Sequence, residues 1–394
     1  TTGATLFDPP DRLAMPLQLW RAQVGWMGGA IMWIAAAAVL SPLSLGGFEV
    51  TARGGTGSAT TERGQFSAAD PMKRWMRAAY VLLPVYAGLT LALWVMLMVL
   101  GDAPAHAIIH AMSVMATSGI SATGGMLSGD SGVAGEIVVF LFLFFALARA
   151  TFSTEAGSVR RETLIDDPEF RFGILLVIAV PMLLFLRHWI GSYEVNEQVD
   201  FSVAAGAAWG AIFTVMSFLT TSGFESSYWD TAQSWSGLGT PGLVLMGLSL
   251  IGGGVATTAG GIKLLRIYAL YLQGLREMEK LVHPSSVSGA ATRSRRIRRQ
   301  GAVIAWVFFM LFAMSLALVA TLLTALGVSF ESAMVMSVAT LSTTGPLIEL
   351  ASETPIDLLA TGPWVKGVLS AAMVLGRLET LVIIALLSPG LWRN

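Results

Sequence analysis

The chain has no cysteine, only four histidines in 394 residues, and charged side chains at just 12%. Without cysteine there are no disulfides and no thiolate metal sites. Soluble domains carry about a quarter charged residues, so half that share points to a lipid surrounding. Lysine and arginine are missing altogether from three long stretches, 102–136, 225–237 and 327–363. Catalytic arrangements are missing as well. His106 and His110 stand four apart, but no glutamate lies between them and no third ligand accompanies them, so packing accounts for the pair better than zinc. The expectation is a chain that is not an enzyme, takes no cofactor and has no nucleic-acid partner.

What is present is apolar surface. Hydrophobic residues make up 54% of the chain, and the mean hydropathy is +0.68. Apolar runs occur at 24–45, 78–100, 137–153, 172–192, 238–272, 302–326 and 364–388, most near the roughly 20 residues that span a bilayer. Several tryptophans, among them Trp20, Trp26, Trp75, Trp189, Trp229, Trp364 and Trp392, stand near run ends, where aromatic anchors favour the membrane interface. Segment 46–77 carries five basic residues (Arg53, Arg63, Lys73, Arg74, Arg77), and segment 275–300 carries seven (Arg276, Lys280, Arg293, Arg295, Arg296, Arg298, Arg299). The positive-inside rule makes these loops cytoplasmic and turns the loops without basic residues outward. The lipid bilayer is therefore the first partner of this chain.

A short hydroxyl-plus-glycine signature recurs four times: Thr1-Thr2-Gly3, Thr117-Ser118-Gly119, Thr221-Ser222-Gly223 and Thr343-Thr344-Gly345, with glycine-to-glycine steps of 116, 104 and 122 residues. That period is a repeat of supersecondary units. Each complete unit reads as outer helix, short pore helix, signature and inner helix. The pore helices fall at 104–116, 201–219 and 330–341, the first opening on Pro104, a favoured first-turn residue. The fold class is an all-α polytopic membrane protein with a pseudo-fourfold repeat, divided at 1–73, 74–171, 172–300 and 301–394. The sequence opens inside its first signature, so an outer helix and a pore helix are expected upstream of residue 1. Re-entrant backbone at membrane depth is tolerated only inside protein or along a wet cavity. Four such segments meeting at one axis offer a ring of carbonyls that can replace the water shell of a monovalent cation.

Two further features stand inside apolar runs. Gly252-Gly253-Gly254-Val255-Ala256-Thr257-Thr258-Ala259-Gly260-Gly261-Ile262-Lys263 cannot continue as helix, since each glycine costs about 1 kcal/mol relative to alanine. It is not a nucleotide loop, because Leu264 follows Lys263 where a Ser or Thr is required. A mobile intramembrane gate below the ring, formed by Gly252, Gly253, Gly254, Thr257, Thr258, Gly260 and Gly261, is the reading we favour over a kink for close helix packing. Arg377 and Glu379 lie in the last run, where a charge must face protein or water. Arg377 is the candidate electrostatic barrier in the pore. Its bland alternative is an ion pair with Glu379. The acidic residues Asp102, Glu225, Asp230, Glu349 and Asp357 fall in or near outer loops and could concentrate cations there.

These residues resemble the TrkH family of bacterial Trk potassium-uptake systems, within the wider TrkH, KtrB, HKT and KdpA superfamily. Thr1-Thr2-Gly3-Ala4-Thr5 resembles its first filter segment, and Trp26-Met27-Gly28-Gly29 the inner helix that follows. Asp167-Pro168-Glu169-Phe170-Arg171, Leu281-Val282-His283-Pro284 and Gly376-Arg377-Leu378-Glu379 resemble cytoplasmic segments and the final inner helix. The resemblance implies potassium bound at carbonyls around Gly3, Gly119, Gly223 and Gly345, a homodimer, and a cytosolic TrkA-type nucleotide-binding regulator. It also implies the bacterial inner membrane, with the filter facing the periplasm. Glycine at all four positions favours potassium over sodium. The competing expectation is a secondary cation transporter, coupled to sodium or protons, that binds its substrate at a broken helix.

Overall fold

The computed structural model describes residues 1–7, 12–40, 71–125, 129–147, 167–195, 201–237, 240–282, 299–352 and 356–378, and no strand occurs among them. Helix α1 (Met15–Ala35) continues through a π turn at Ala36–Leu40. The second unit has α2 (Pro71–Val99), α3 (Pro104–Ala116) and α4 (Gly132–Leu143), the last ending in a 3-10 turn at Phe144–Ala146. The third has α5 (Pro168–Val195), α6 (Phe201–Leu219), α7 (Trp229–Ser236), α8 (Pro241–Ile251) and α9 (Leu264–Val282). The fourth has α10 (Arg299–Ala325), α11 (Phe330–Leu341), α12 (Leu347–Leu350) and α13 (Pro363–Leu378).

Proline begins α2, α3, α5, α8 and α13. It suits the first turn because its ring presets φ and its missing N–H would be unpaired there anyway. Both α2 and α5 carry an internal proline, Pro84 and Pro181, each 13 residues after the opening proline. Helix α11 starts differently, with the Ser332 N–H donating to the Ser329 hydroxyl at 3.2 Å, an N-cap that satisfies one free donor.

Four described helices are long and apolar enough to cross a membrane: Met72–Val99, Pro168–Phe185, Ser202–Leu219 and Gly301–Ala325. Length alone would make α6 a span, but 56% of its window is buried against 22–28% for the other three. It is thus an interior helix, at the same place in its unit as the shorter α3 and α11. The core is built around these short helices. Ala107–Ala116 of α3, Ala207–Leu219 of α6 and Ala333–Leu341 of α11 supply many of its fully buried residues, while α2, α5 and α10 present Leu, Val and Met outward. Inner helices pack on the next unit's short helix: α1 on α3, α4 on α6, α8 on α11.

One expectation needs correction. The first inner helix begins at Met15, nine residues before the apolar run at 24. Gln18 and Arg21 lower the local hydropathy, yet Gln18 is buried and its amide donates to the Leu13 carbonyl at 3.1 Å. The long run at 238–272 is two helices, α8 and α9, separated by 252–263. The run ends at 41–45 and 379–388, together with His283, Pro284 and Glu379, lie outside the described residues.

Candidate functional site: four converging signatures and a glycine loop

Each short helix ends in the same turn. The Ser118 N–H donates to the Ser113 carbonyl at 2.9 Å, Ser222 to Ser217 at 2.8 Å, and Thr344 to Ala339 at 2.8 Å. This is the six-to-one bond of a Schellman helix stop, whose hinge residue must be left-handed. Glycine usually stands there. Here threonine does, with φ of 47° at Thr117, 57° at Thr221 and 58° at Thr343. A β-branched residue at positive φ is a rare, strained conformation, costing on the order of 1–3 kcal/mol, and such strain gathers at functional sites. Two residues on, Gly119 and Gly223 again have positive φ, 67° and 76°, as does Gly3 at 75°.

The fourth signature departs from this pattern. Gly345 is not among the positive-φ glycines, because Pro346 follows it and the residue before proline is driven toward extended backbone. Its glycine is required by close approach instead. A Cβ there would lie 2.0 Å from the Ala4 nitrogen and 2.5 Å from the Thr2 carbonyl oxygen.

The four segments meet. A Cβ on Gly3 would fall 1.7 Å from the Ser118 carbonyl oxygen, and one on Gly119 2.4 Å from the Ser222 carbonyl oxygen. Gly119 and Gly223 both abut Pro346. The Gly345 N–H donates to the Thr2 carbonyl at 2.5 Å, tying the fourth unit to the first. Thr2, Thr117, Ser118, Thr221, Ser222, Thr343 and Thr344 are all buried. Thr1 packs against Gly28 of α1. The Thr343 hydroxyl is buried with no hydrogen-bond partner among the described residues.

Against these segments lies the glycine loop. Its neck is closed by Ile262 N–H to the Leu250 carbonyl (2.9 Å), Lys263 to Ile251 (3.0 Å) and Leu264 to Gly253 (3.1 Å), so α8 and α9 rejoin as though the loop were looped out. Gly252 and Gly261, at φ 73° and 76°, face each other across the neck. The loop touches three units. Gly254 N–H donates to the Ala146 carbonyl of the second at 2.9 Å, and the Thr258 hydroxyl to the Met115 carbonyl at 3.2 Å. Gly260 N–H donates to the Thr221 hydroxyl of its own unit at 2.7 Å. From the fourth, a Cβ on Gly260 would lie 2.0 Å from the Ser342 carbonyl oxygen. Thr257 braces the loop from within, its hydroxyl donating to the Gly254 carbonyl at 2.6 Å.

Arg377, on α13, donates through Nη1 to the Thr258 carbonyl, while its Nε and Nη2 find no partner among the described residues. The loop therefore has an arginine on its fourth-unit side.

Three carboxylates went unnoticed or misjudged in the sequence. Glu169 is 1% exposed and accepts the Val255 N–H of the loop at 2.6 Å. Glu136, fully buried on α4, accepts from Trp209, Ser226 and Ser227. A lone acidic residue at the head of an apolar run was the available signal for it. Asp102 is not a mouth charge: it is buried and takes the Ser131 N–H at 2.8 Å. In the loop after the third signature, burial pushes the Glu225 carboxyl up to about 7, with Asp230 and Glu349 adding to the rise.

The chain is similar to the Trk system potassium uptake protein TrkH of Escherichia coli strain K12, 30% identical over 397 residues that cover 100% of this chain and 77% of that protein. The TrkH of Halomonas elongata is 29% identical over 395 residues, with the same coverage. The crystal structure of the potassium transporter TrkH from Vibrio parahaemolyticus matches with a TM-score of 0.77 at 28% identity, over 100% of this chain and 76% of that one. The TrkH family profile, described as a cation transport protein, matches residues 1–391, and the chain belongs to this family of membrane transporters.

Proposed function

We propose that this protein takes up potassium across the bacterial inner membrane through a central pore. Backbone carbonyls around Gly3, Gly119, Gly223 and Gly345 form its potassium-selective filter, facing the periplasm. The observation that carries the proposal is the turn repeated at Thr117, Thr221 and Thr343, each left-handed and each leading into a signature that packs on its neighbours. In the second and third signatures a negative-φ serine stands between two positive-φ residues, which turns successive carbonyls to one side, as an ion stripped of water requires. The unpartnered Thr343 hydroxyl leaves a further oxygen free for an ion. Potassium is the cargo named for the relatives.

The loop Gly252–Gly261 is the gate. It lies against the inner side of the signatures, bonded to Thr221 and abutting Ser342, and Arg377 holds it while placing a positive charge beside the ion path. A homodimer and a cytosolic TrkA-type regulator complete the working unit. The test is Gly223→Ser. A side chain at φ 76° distorts a turn that glycine enters freely, so relative potassium-over-sodium flux should fall. An unchanged ratio in a folded variant would refute the filter assignment.

A further inference from the structure

We infer that Glu136 is a specificity-determining positioning residue, holding the third signature at the spacing that distinguishes potassium from sodium. This rests on the filter assignment above. Glu136 lies in the second turn of α4, belongs to the second unit, and is 0% exposed. Its carboxylate receives four donors, all from the third unit. Oε2 accepts the Trp209 indole N–H at 2.8 Å and the Ser226 hydroxyl at 2.7 Å. Oε1 accepts the Ser227 N–H at 2.6 Å and the Ser227 hydroxyl at 2.7 Å.

The chemistry suits a clamp. A carboxylate offers about four lone-pair positions on two oxygens, and here it accepts four hydrogen bonds. Two of the donors are rigid, since an indole ring and a peptide N–H cannot reverse. Trp209 is on the short helix α6, before the signature. Ser226 and Ser227 stand three and four residues after Gly223. One buried side chain thus fixes both flanks of Thr221-Ser222-Gly223 to the neighbouring inner helix.

The other units hold the same stretch by weaker or different means. After the second signature, Ser121 pairs with His110 Nε2 at 3.0 Å. After the fourth, Pro346 leads directly into the short helix α12. The third signature is the one whose hydroxyl also receives the loop's Gly260 N–H, so it meets the gate on one side and Glu136 on the other. A carbonyl ring discriminates only if its backbone resists closing around a smaller ion. Loosening this segment lets it follow sodium inward.

Glu136→Gln separates the clamp from mere bulk. Volume is conserved, but glutamine has one oxygen for two rigid donors approaching different positions. Either the Trp209 indole or the Ser227 N–H must then face an amide NH₂. Potassium and sodium influx are measured separately for the full-length protein in vesicles, beside Gly223→Ser and Trp209→Phe. Glu136→Gln should lower the potassium-to-sodium flux ratio by roughly tenfold, equal to about 1.4 kcal/mol of discrimination. Trp209→Phe, which removes one donor and keeps a ring, should lower it in the same direction by less. A structural role would reduce both fluxes together and leave the ratio alone. If Gly223→Ser lowers the ratio and Glu136→Gln does not, the inference fails while the filter assignment stands. If no variant moves the ratio, both fail. Should Glu136→Gln not be recovered folded, Trp209→Phe decides by the same criterion.

Discussion

Gly260→Ala puts the gate proposal under a defined load. The added methyl would sit 2.0 Å from the Ser342 carbonyl oxygen and 2.3 Å from the Thr343 hydroxyl oxygen. Ser342 presents backbone, which cannot swing away, so the loop itself must retreat by roughly 1.5 Å to reach van der Waals distance. That retreat stretches the 2.7 Å bond from Gly260 N–H to the Thr221 hydroxyl past useful length. Gly260 does not have positive φ, so no backbone strain confuses the outcome. The lost hydrogen bond accounts for about 1 kcal/mol, and overpacking adds on the order of 1–3 kcal/mol. Both act on the closed arrangement, where loop and signatures touch. A total of about 2 kcal/mol or more should multiply the open population by roughly thirty. The assay is potassium influx into vesicles holding the purified protein without any cytosolic partner, with monodispersity checked beside it. Basal influx should rise. A folded variant with unchanged or lower influx would refute the placement of a moving gate at Gly260.

Two other consequences are open to measurement. Arg377→Ala removes a charge-assisted bond to the Thr258 carbonyl, worth about 1.5–3 kcal/mol, and should raise basal potassium influx by roughly tenfold or more. Arg377→Lys should keep part of the barrier and lose the forked donor geometry, and an alanine variant with unaltered influx would leave Arg377 as a structural residue. Glu225, raised to about 7 by burial and by Asp230 and Glu349, should be neutral below neutral pH and charged above it. Cation attraction at the mouth should then strengthen as external pH rises through 7, and Glu225→Gln should flatten that profile. The stability sign is opposite. The folded carboxyl keeps its proton up to about 7 against an ordinary 4.5, so its contribution is greatest below 4.5 and is lost as pH rises toward 7.

Local pattern made much of this architecture legible. The four glycines betrayed themselves by recurrence, and the glycine cluster at 252–261 by breaking a run too long for one span. Arg377 stood out because few environments at membrane depth tolerate it. Less visible was the backbone's actual solution. The turns begin at Thr117, Thr221 and Thr343, residues whose branched side chains argue against positive φ, and only the surrounding packing holds them there. Gly345 looked equivalent to its counterparts, but Pro346 set its conformation. The buried acids escaped for a different reason. Glu136 meets Ser227 across 91 residues, and Glu169 meets Val255 across 86, so no local window contains both partners. Helix α1 was read short because Gln18 and Arg21 lower its hydropathy, although burial and a hydrogen bond to Leu13 give Gln18 a reason to be helical.

The central claim is that four carbonyl-lined segments select potassium, and one comparison tests it most directly. The full-length protein is reconstituted in vesicles, and initial influx of potassium and of sodium is measured at equal concentration and driving force. A clear potassium preference that Gly223→Ser reduces is the predicted result. Equal influx of the two ions, or a sodium preference, would contradict the account.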